Sequence, residues 1–229
     1  MNKQEIIATQ TALREAGFYA GKVDGIWGAL SQKAQEAALD AIKLQRNSCM
    51  AQDVPPNFKK IAWGAKVSPV FKARVCWIAE QLKMPEQGAD WLMSCMAFES
   101  GESFSPSVQN AAGSGAVGLI QFMPKTARDL GTTTQALSKM SAEEQLNYVY
   151  KYFLPFKGRL HNLSDVYMAI LWPLAAGKPD SYVLWDKDSK PTTYRQNAGL
   201  DINKDFVITK GEAARKVSEK LQKGLGVAG

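Results

Sequence analysis

One histidine, His161, stands among the 229 residues of this chain, and a zinc hydrolase needs two or three imidazoles beside a carboxylate or thiolate. No metal and no cofactor is therefore assigned. A Ser-His or Cys-His nucleophile pair would rest on His161 alone, in a segment between two predicted helices, so it receives no catalytic role. Cys49, Cys76 and Cys95 are an odd number without a C-x-x-C spacing and read as reduced thiols. The chemistry left is that of carboxylates, and one of these has an unusual setting. Trp91-Leu92-Met93-Ser94-Cys95-Met96-Ala97-Phe98-Glu99 reads as a helix apolar on nearly every side that ends in an acid.

A helix apolar all round is normally buried. Desolvation at its end disfavours the anion of Glu99, the negative end of the helix dipole opposes ionisation, and Gly101 is a natural stop just beyond. Glu102 adds like-charge repulsion if the last turn continues. A carboxylic acid kept protonated near neutral pH is what cleavage of a glycosidic bond requires, because the leaving oxygen must receive a proton. The competing reading is a surface acid at a frayed helix end.

Two segments decide between these readings: Glu99-Ser100-Gly101-Glu102-Ser103-Phe104-Ser105-Pro106, then Gly115-Ala116-Val117-Gly118-Leu119-Ile120-Gln121-Phe122-Met123-Pro124. Together they resemble the soluble lytic transglycosylase family of goose-type lysozyme-like enzymes, in order and in spacing. The resemblance implies Glu99 as catalytic acid, with Ser100, Gln121 and Met123 contacting a glycan. The glycines of the second segment let backbone approach a sugar, and Gln121 can both donate and accept. The spacing from Glu99 to Phe104 is longer than in the family. The family's third motif is replaced by Ile170-Leu171-Trp172-Pro173-Leu174-Ala175-Ala176-Gly177, so no residue inherits its tyrosine.

At the N-terminus, Gln10, Leu13, Gly17, Tyr19, Val23-Asp24-Gly25-Ile26-Trp27-Gly28 and Ala34 look like the small three-helix peptidoglycan-binding domain, which implies Tyr19, Asp24 and Trp27 as wall-binding residues. Tyr19 and Trp27 also read as the core of a mini-domain with little else to bury. With this order of units the chain resembles a modular bacteriophage endolysin. The resemblance implies peptidoglycan glycan strands as partner, action as a monomer, and no stable membrane insertion. It also implies residence in the host cytoplasm until a separate pore-forming protein admits the enzyme to the periplasm and wall.

The elements that must position these residues follow from periodicity and punctuation. Helices are expected from residue 3 and over 31–44, with Ser31 as N-cap, then over 70–82, 90–98, 124–130, 142–153, 163–174 and 211–221. Strand-like alternation is nearly absent. The expected fold is mainly α: a small three-helix binding domain over 1–47, a linker over 48–62 around Pro55-Pro56, and a larger lysozyme-like helical catalytic domain over 63–229. The opening residues show no signal-peptide pattern, and no apolar run reaches membrane-spanning length. Hydrophobic residues at 45% support a core, and the net charge of +6 suits an acidic partner. Dispersed basic residues without a nucleic-acid motif argue against nucleic acid.

Residues 201–212 follow the ligand spacing of an EF-hand calcium loop, with Phe206 at the position that needs a glycine. They are read as a turn before the last helix. Glycan cleavage has two forms at this level: transglycosylation with Glu99 alone, or hydrolysis by a lysozyme with Glu102 or Asp129 as second carboxylate. A wall-binding protein with a cleft that only holds glycan is the non-enzymatic alternative.

Overall fold

The computed structural model describes residues 1–49, 59–110 and 113–229; the Pro55-Pro56 pair lies outside them. In the N-terminal unit, α1 (Lys3–Glu15) starts from Asn2, whose side chain accepts from the Glu5 N–H while Glu5 reaches back to the Asn2 N–H. After a loop follows α2 (Ala29–Cys49). Two helices build this unit, and the expected third has no counterpart among the described residues. Gln10 is its polar centre. Fully buried, it donates to the Ile26 carbonyl and Ser31 Oγ at 3.0 Å and accepts from the Gly25 N–H at 3.0 Å. Ser31 is therefore not the N-cap. It lies inside the first turn, and the Gly28 carbonyl already accepts from Gln32.

The larger unit begins earlier than expected. Ile61, Ala62 and Trp63 are buried in its core, so the end of the expected linker belongs to it, while Cys49 at the other end is still helical. The first and last segments lie side by side: the Trp63 N–H donates to the Gly224 carbonyl and its indole N–H to the Lys220 carbonyl. Next come α3 (Pro69–Gln81), capped by Ser68 with Pro at its first position, and α4 (Gly88–Glu99). Two short helices, α5 (Pro124–Asp129) and α6 (Thr134–Leu137), precede α7 (Ala142–Phe153), whose bounds agree with the sequence reading and whose start is a Ser141/Glu144 capping box.

The helix expected to reach residue 174 stops sooner, as α8 (Leu163–Leu171). Trp172 is pushed to an extended conformation (φ −151°, ψ 81°) by the proline that follows, and residues 173–175 form a 3-10 turn. Beyond it are β1 (Val183–Asp186), α9 (Pro191–Asn197), β2 (Val207–Thr209) and α10 (Lys210–Leu225). The strands pair antiparallel, Trp185 opposite Ile208. Three and four residues are too few for alternation to show in sequence. No helix among the described residues is long and apolar enough to cross a membrane.

Phe206 stands in the left-handed region, φ +68°, at the position where the calcium-loop spacing calls for a glycine. Asp201 holds that turn by accepting from the N–H groups of Lys204 and Phe206, and Lys187 sits 4.2 Å from the exposed Phe206 ring. The Tyr194 hydroxyl also donates to Asp201, at 2.7 Å.

Every layer surrounds α4, which packs against α3, α8 and α10. The start of α10 is fixed by a buried ion pair, Lys210 Nζ to Asp165 Oδ1 at 2.5 Å, with Lys210 also donating to the Lys178 carbonyl and Asp165 accepting from the Gly177 N–H. Removing one member leaves an uncompensated buried charge, which costs about 3–5 kcal/mol. Lys210→Met is accordingly expected to lower stability by that order in urea unfolding, whereas Lys210→Met with Asp165→Leu restores much of it. A single variant as stable as the parent would refute the role given to the pair.

Candidate active site

Glu99 is the last residue of α4. Seven consecutive residues before it are enclosed or nearly so, from Leu92 to Phe98, which leaves the helix end as the opening through which α4 meets solvent. Burial pushes the Glu99 carboxyl from 4.5 up to about 7. Its proton is thus retained close to neutrality without help from a neighbouring charge. The charge of Glu99 is felt by Tyr152 on α7 and Tyr167 on α8, both of whose hydroxyls are raised by burial first and by Glu99 second. Tyr167 packs edge-on against Phe98 at 5.5 Å, and the Tyr152 hydroxyl donates to the Ala169 carbonyl at 2.7 Å. These two tyrosines wall the acid. Sequence reasoning missed them because only tertiary packing brings helices α7 and α8 to the end of α4.

Glu102 does not repel Glu99 along a continued turn. Gly101 ends the helix at φ +61°, Glu102 itself adopts φ +68°, and its carboxylate is bound by Lys220 and by Lys223, the latter at 2.6 Å. The two ammonium groups hold its pKa down to about 2. Ser100 corrects a second expectation. It is buried, and its Oγ accepts from the Phe104 N–H at 3.0 Å, so it closes the loop after α4 instead of lying open at the surface.

The segment before α5 reaches the same neighbourhood through Phe122, whose ring meets that of Tyr152 edge-on at 6.3 Å. Gly118 adopts φ +82°, and a Cβ there would lie 2.3 Å from the amide of Gln145. Gln145, fully buried on α7, accepts from the Leu119 N–H at 2.7 Å and donates to the Pro106 and Leu137 carbonyls at 3.0 Å. Three separate loops are joined by one amide. Gln121, half-buried with φ +51°, donates to the Val108 and Gly118 carbonyls, which leaves its Oε1 as the group open to a hydroxyl or acetamido N–H. Met123, exposed, starts α5 and offers apolar surface to a sugar face.

The wall-binding residues assigned to the N-terminal unit are internal or structural. Tyr19 is buried with its hydroxyl bonded to Gln10 and the Lys22 carbonyl. Asp24, though exposed, caps the Ile26 N–H, and Trp27 packs on the small core of Leu13, Tyr19 and Ala34. Asp129 is exposed and paired with Lys125 at 2.6 Å.

Residues 76–150 match the family model described as Transglycosylase SLT domain. Its members are lytic transglycosylases, which cleave the glycosidic bond in peptidoglycan, and the matched stretch is similar to their catalytic domain. The matched third of the chain includes Glu99, Gln121, Met123 and Gln145, whereas the N-terminal unit and α10 lie outside it. No curated protein and no solved structure matches the chain.

The burial of Glu99 has a signature independent of activity. Between about pH 4.5 and 7 the unfolded chain releases this proton while the folded chain keeps it, so stability falls as pH rises through that window and the loss is complete above it. A shift of this size corresponds to about 3 kcal/mol. Glu99→Gln is expected to be more stable than the parent by that order at pH 8, and the gap to shrink towards pH 4. A stability difference independent of pH would remove the account of a desolvated acid.

Proposed function

We propose that this chain cleaves the β-1,4 bond between N-acetylmuramic acid and N-acetylglucosamine as a lytic transglycosylase, with Glu99 acting first as acid and then as base. The observation that carries the reading is a carboxyl at the end of an enclosed helix, pushed by burial to about 7, in the same matched stretch as a half-buried glutamine and an exposed methionine. Glu99 gives its proton to the glycosidic oxygen as the bond from the muramyl C1 to that oxygen breaks. The resulting carboxylate takes the proton of the muramyl C6 hydroxyl, and O6 closes on C1. The product is a 1,6-anhydro ring, no water is consumed, and Glu99 ends protonated.

Hydrolysis calls for a second carboxylate to activate water or to stabilise the cationic sugar. Both sequence candidates are occupied elsewhere: Glu102 by Lys220 and Lys223, Asp129 by Lys125. That occupancy favours the single-carboxylate route. The order of units further suggests a bacteriophage endolysin that lyses its host from within, released to the wall by a separate pore-forming protein and held there by its N-terminal unit.

Glu99→Gln is expected to lose cleavage of purified cell wall by at least about 10²-fold, the lower range for removing a general acid. Mass spectrometry of the parent enzyme's products is expected to show muropeptides lighter by one water than their hydrolysed counterparts. Glu102→Gln should still yield anhydro products. Undiminished cleavage by Glu99→Gln, or reducing-end muramic acid as main product, sinks the proposal.

A further inference from the structure

The two units meet around a cavity of about 300 Å³. Arg14, Phe18 and Ala20 line it from the N-terminal unit, and Arg128, Leu130 and Lys151 from the larger one. Lys151 is held between the units, its ammonium 3.9 Å from the Phe18 ring centroid and donating to the Ala16 carbonyl at 3.2 Å. Burial depresses its pKa, and no carboxylate offsets that. Neither Arg14 nor Arg128 has an acidic partner among the described residues. The one acid lining the space, Asp129, is taken by Lys125. Three cations therefore face a cavity that is largely apolar elsewhere and supplies no free anion.

We propose that this cavity binds a carboxylate of the short stem peptides carried by the wall's glycan. Such peptides combine carboxylates, suited to the arginines, with alanine methyl groups, suited to Phe18, Leu130 and Leu154. The volume is at the small end of ligand pockets and fits a few residues of peptide. Position supports the same ligand. Met123 in the glycan cleft and Arg128 at the cavity stand at opposite ends of α5, five residues or about 7.5 Å apart along its axis. A four-residue peptide spans up to about 13 Å, so one hung from a muramic acid near Met123 reaches the cavity. The assignment of the peptide as source rests on the reading of the substrate as peptidoglycan. It also gives the N-terminal unit a part in recognition, through Arg14 and Phe18, that its buried Tyr19 cannot supply.

The test uses the full chain and the double variant Arg14→Ala/Arg128→Ala, two exposed positions that leave the Lys151 tether intact. Titration of a synthetic tetrapeptide Ala-γ-Glu-Lys-Ala into the full chain is followed by backbone amide shifts, with its amidated form and inorganic phosphate as further probes. The expected result is shifts at residues 18 and 130, and binding weaker by about tenfold or more in the double variant, since two charge-assisted contacts are lost. The amidated peptide should fail to bind, and cleavage of peptide-free glycan strands should be unchanged in the double variant. Equal binding by parent and variant, equal binding of the amidated peptide, or phosphate that binds as tightly as the peptide overturns the proposal. These outcomes are separate from the loss of glycan cleavage in Glu99→Gln, so either reading can fail alone.

Discussion

A helix that is apolar on every face has to be enclosed on every face, and α4 sets this demand for the rest of the larger unit. α3, α8 and α10 close around it, and the Trp63 segment fastens α10 from outside. Its exit is the C-terminal end, where Gly101 turns the chain away and Glu99 is left. An ionised carboxylate at such a place would carry a heavy desolvation penalty, whereas a neutral one is tolerated. The packing that stabilises the fold is thus the same packing that keeps the acid protonated. Fold and chemistry share one cause.

The cleft needs a second organiser, because Gln121 and Met123 sit in a segment with little regular structure. Gln145 fills this place: its amide joins the Leu119 N–H to the Pro106 and Leu137 carbonyls, and the missing side chain of Gly118 makes room for it. A buried amide with all partners in place fixes geometry more narrowly than apolar packing does. On the opposite side the loop after α4 is two-way anchored, inward by Ser100 to Phe104 and outward by Glu102 to α10. The longer spacing between Glu99 and Phe104 thus has a structural use, since it carries the carboxylate that reaches Lys220 and Lys223.

Local signals in the sequence were reliable where short-range chemistry decides. The ends of α7 follow from Ser141 and its capping box, and the buried helix that ends in Glu99 follows from the composition of α4, while the choice of Glu99 as the acid also needed the two segments after it. What sequence left hidden depends on contacts between distant segments. Ser100 reads as a surface residue open to substrate until it is seen buried, with its hydroxyl accepting from the Phe104 N–H. Tyr19 reads as a wall-facing aromatic until Gln10, buried nine positions earlier, claims it. Glu102 reads as a neighbour of Glu99 on one helix face, but a single glycine in the left-handed region sends it to α10 instead. The strands were invisible because register with a partner, and not alternation, defines elements so short.

The N-terminal unit shows how little apolar surface can hold a fold when polar groups are fully used. Among the described residues its core cluster holds Leu13, Tyr19 and Ala34, with Phe18, Val23, Trp27 and Ala38 packed on it. Gln10 compensates by bonding from α1 to the loop and to Ser31 of α2, which ties the loop to the two helices it joins. Phe18, in that fixed loop, is what Lys151 docks against. Lys151 thus fixes Phe18 beside the end of α5, so the surface that the N-terminal unit turns towards the larger one is set by the same helix, α7, that carries Gln145 and Tyr152.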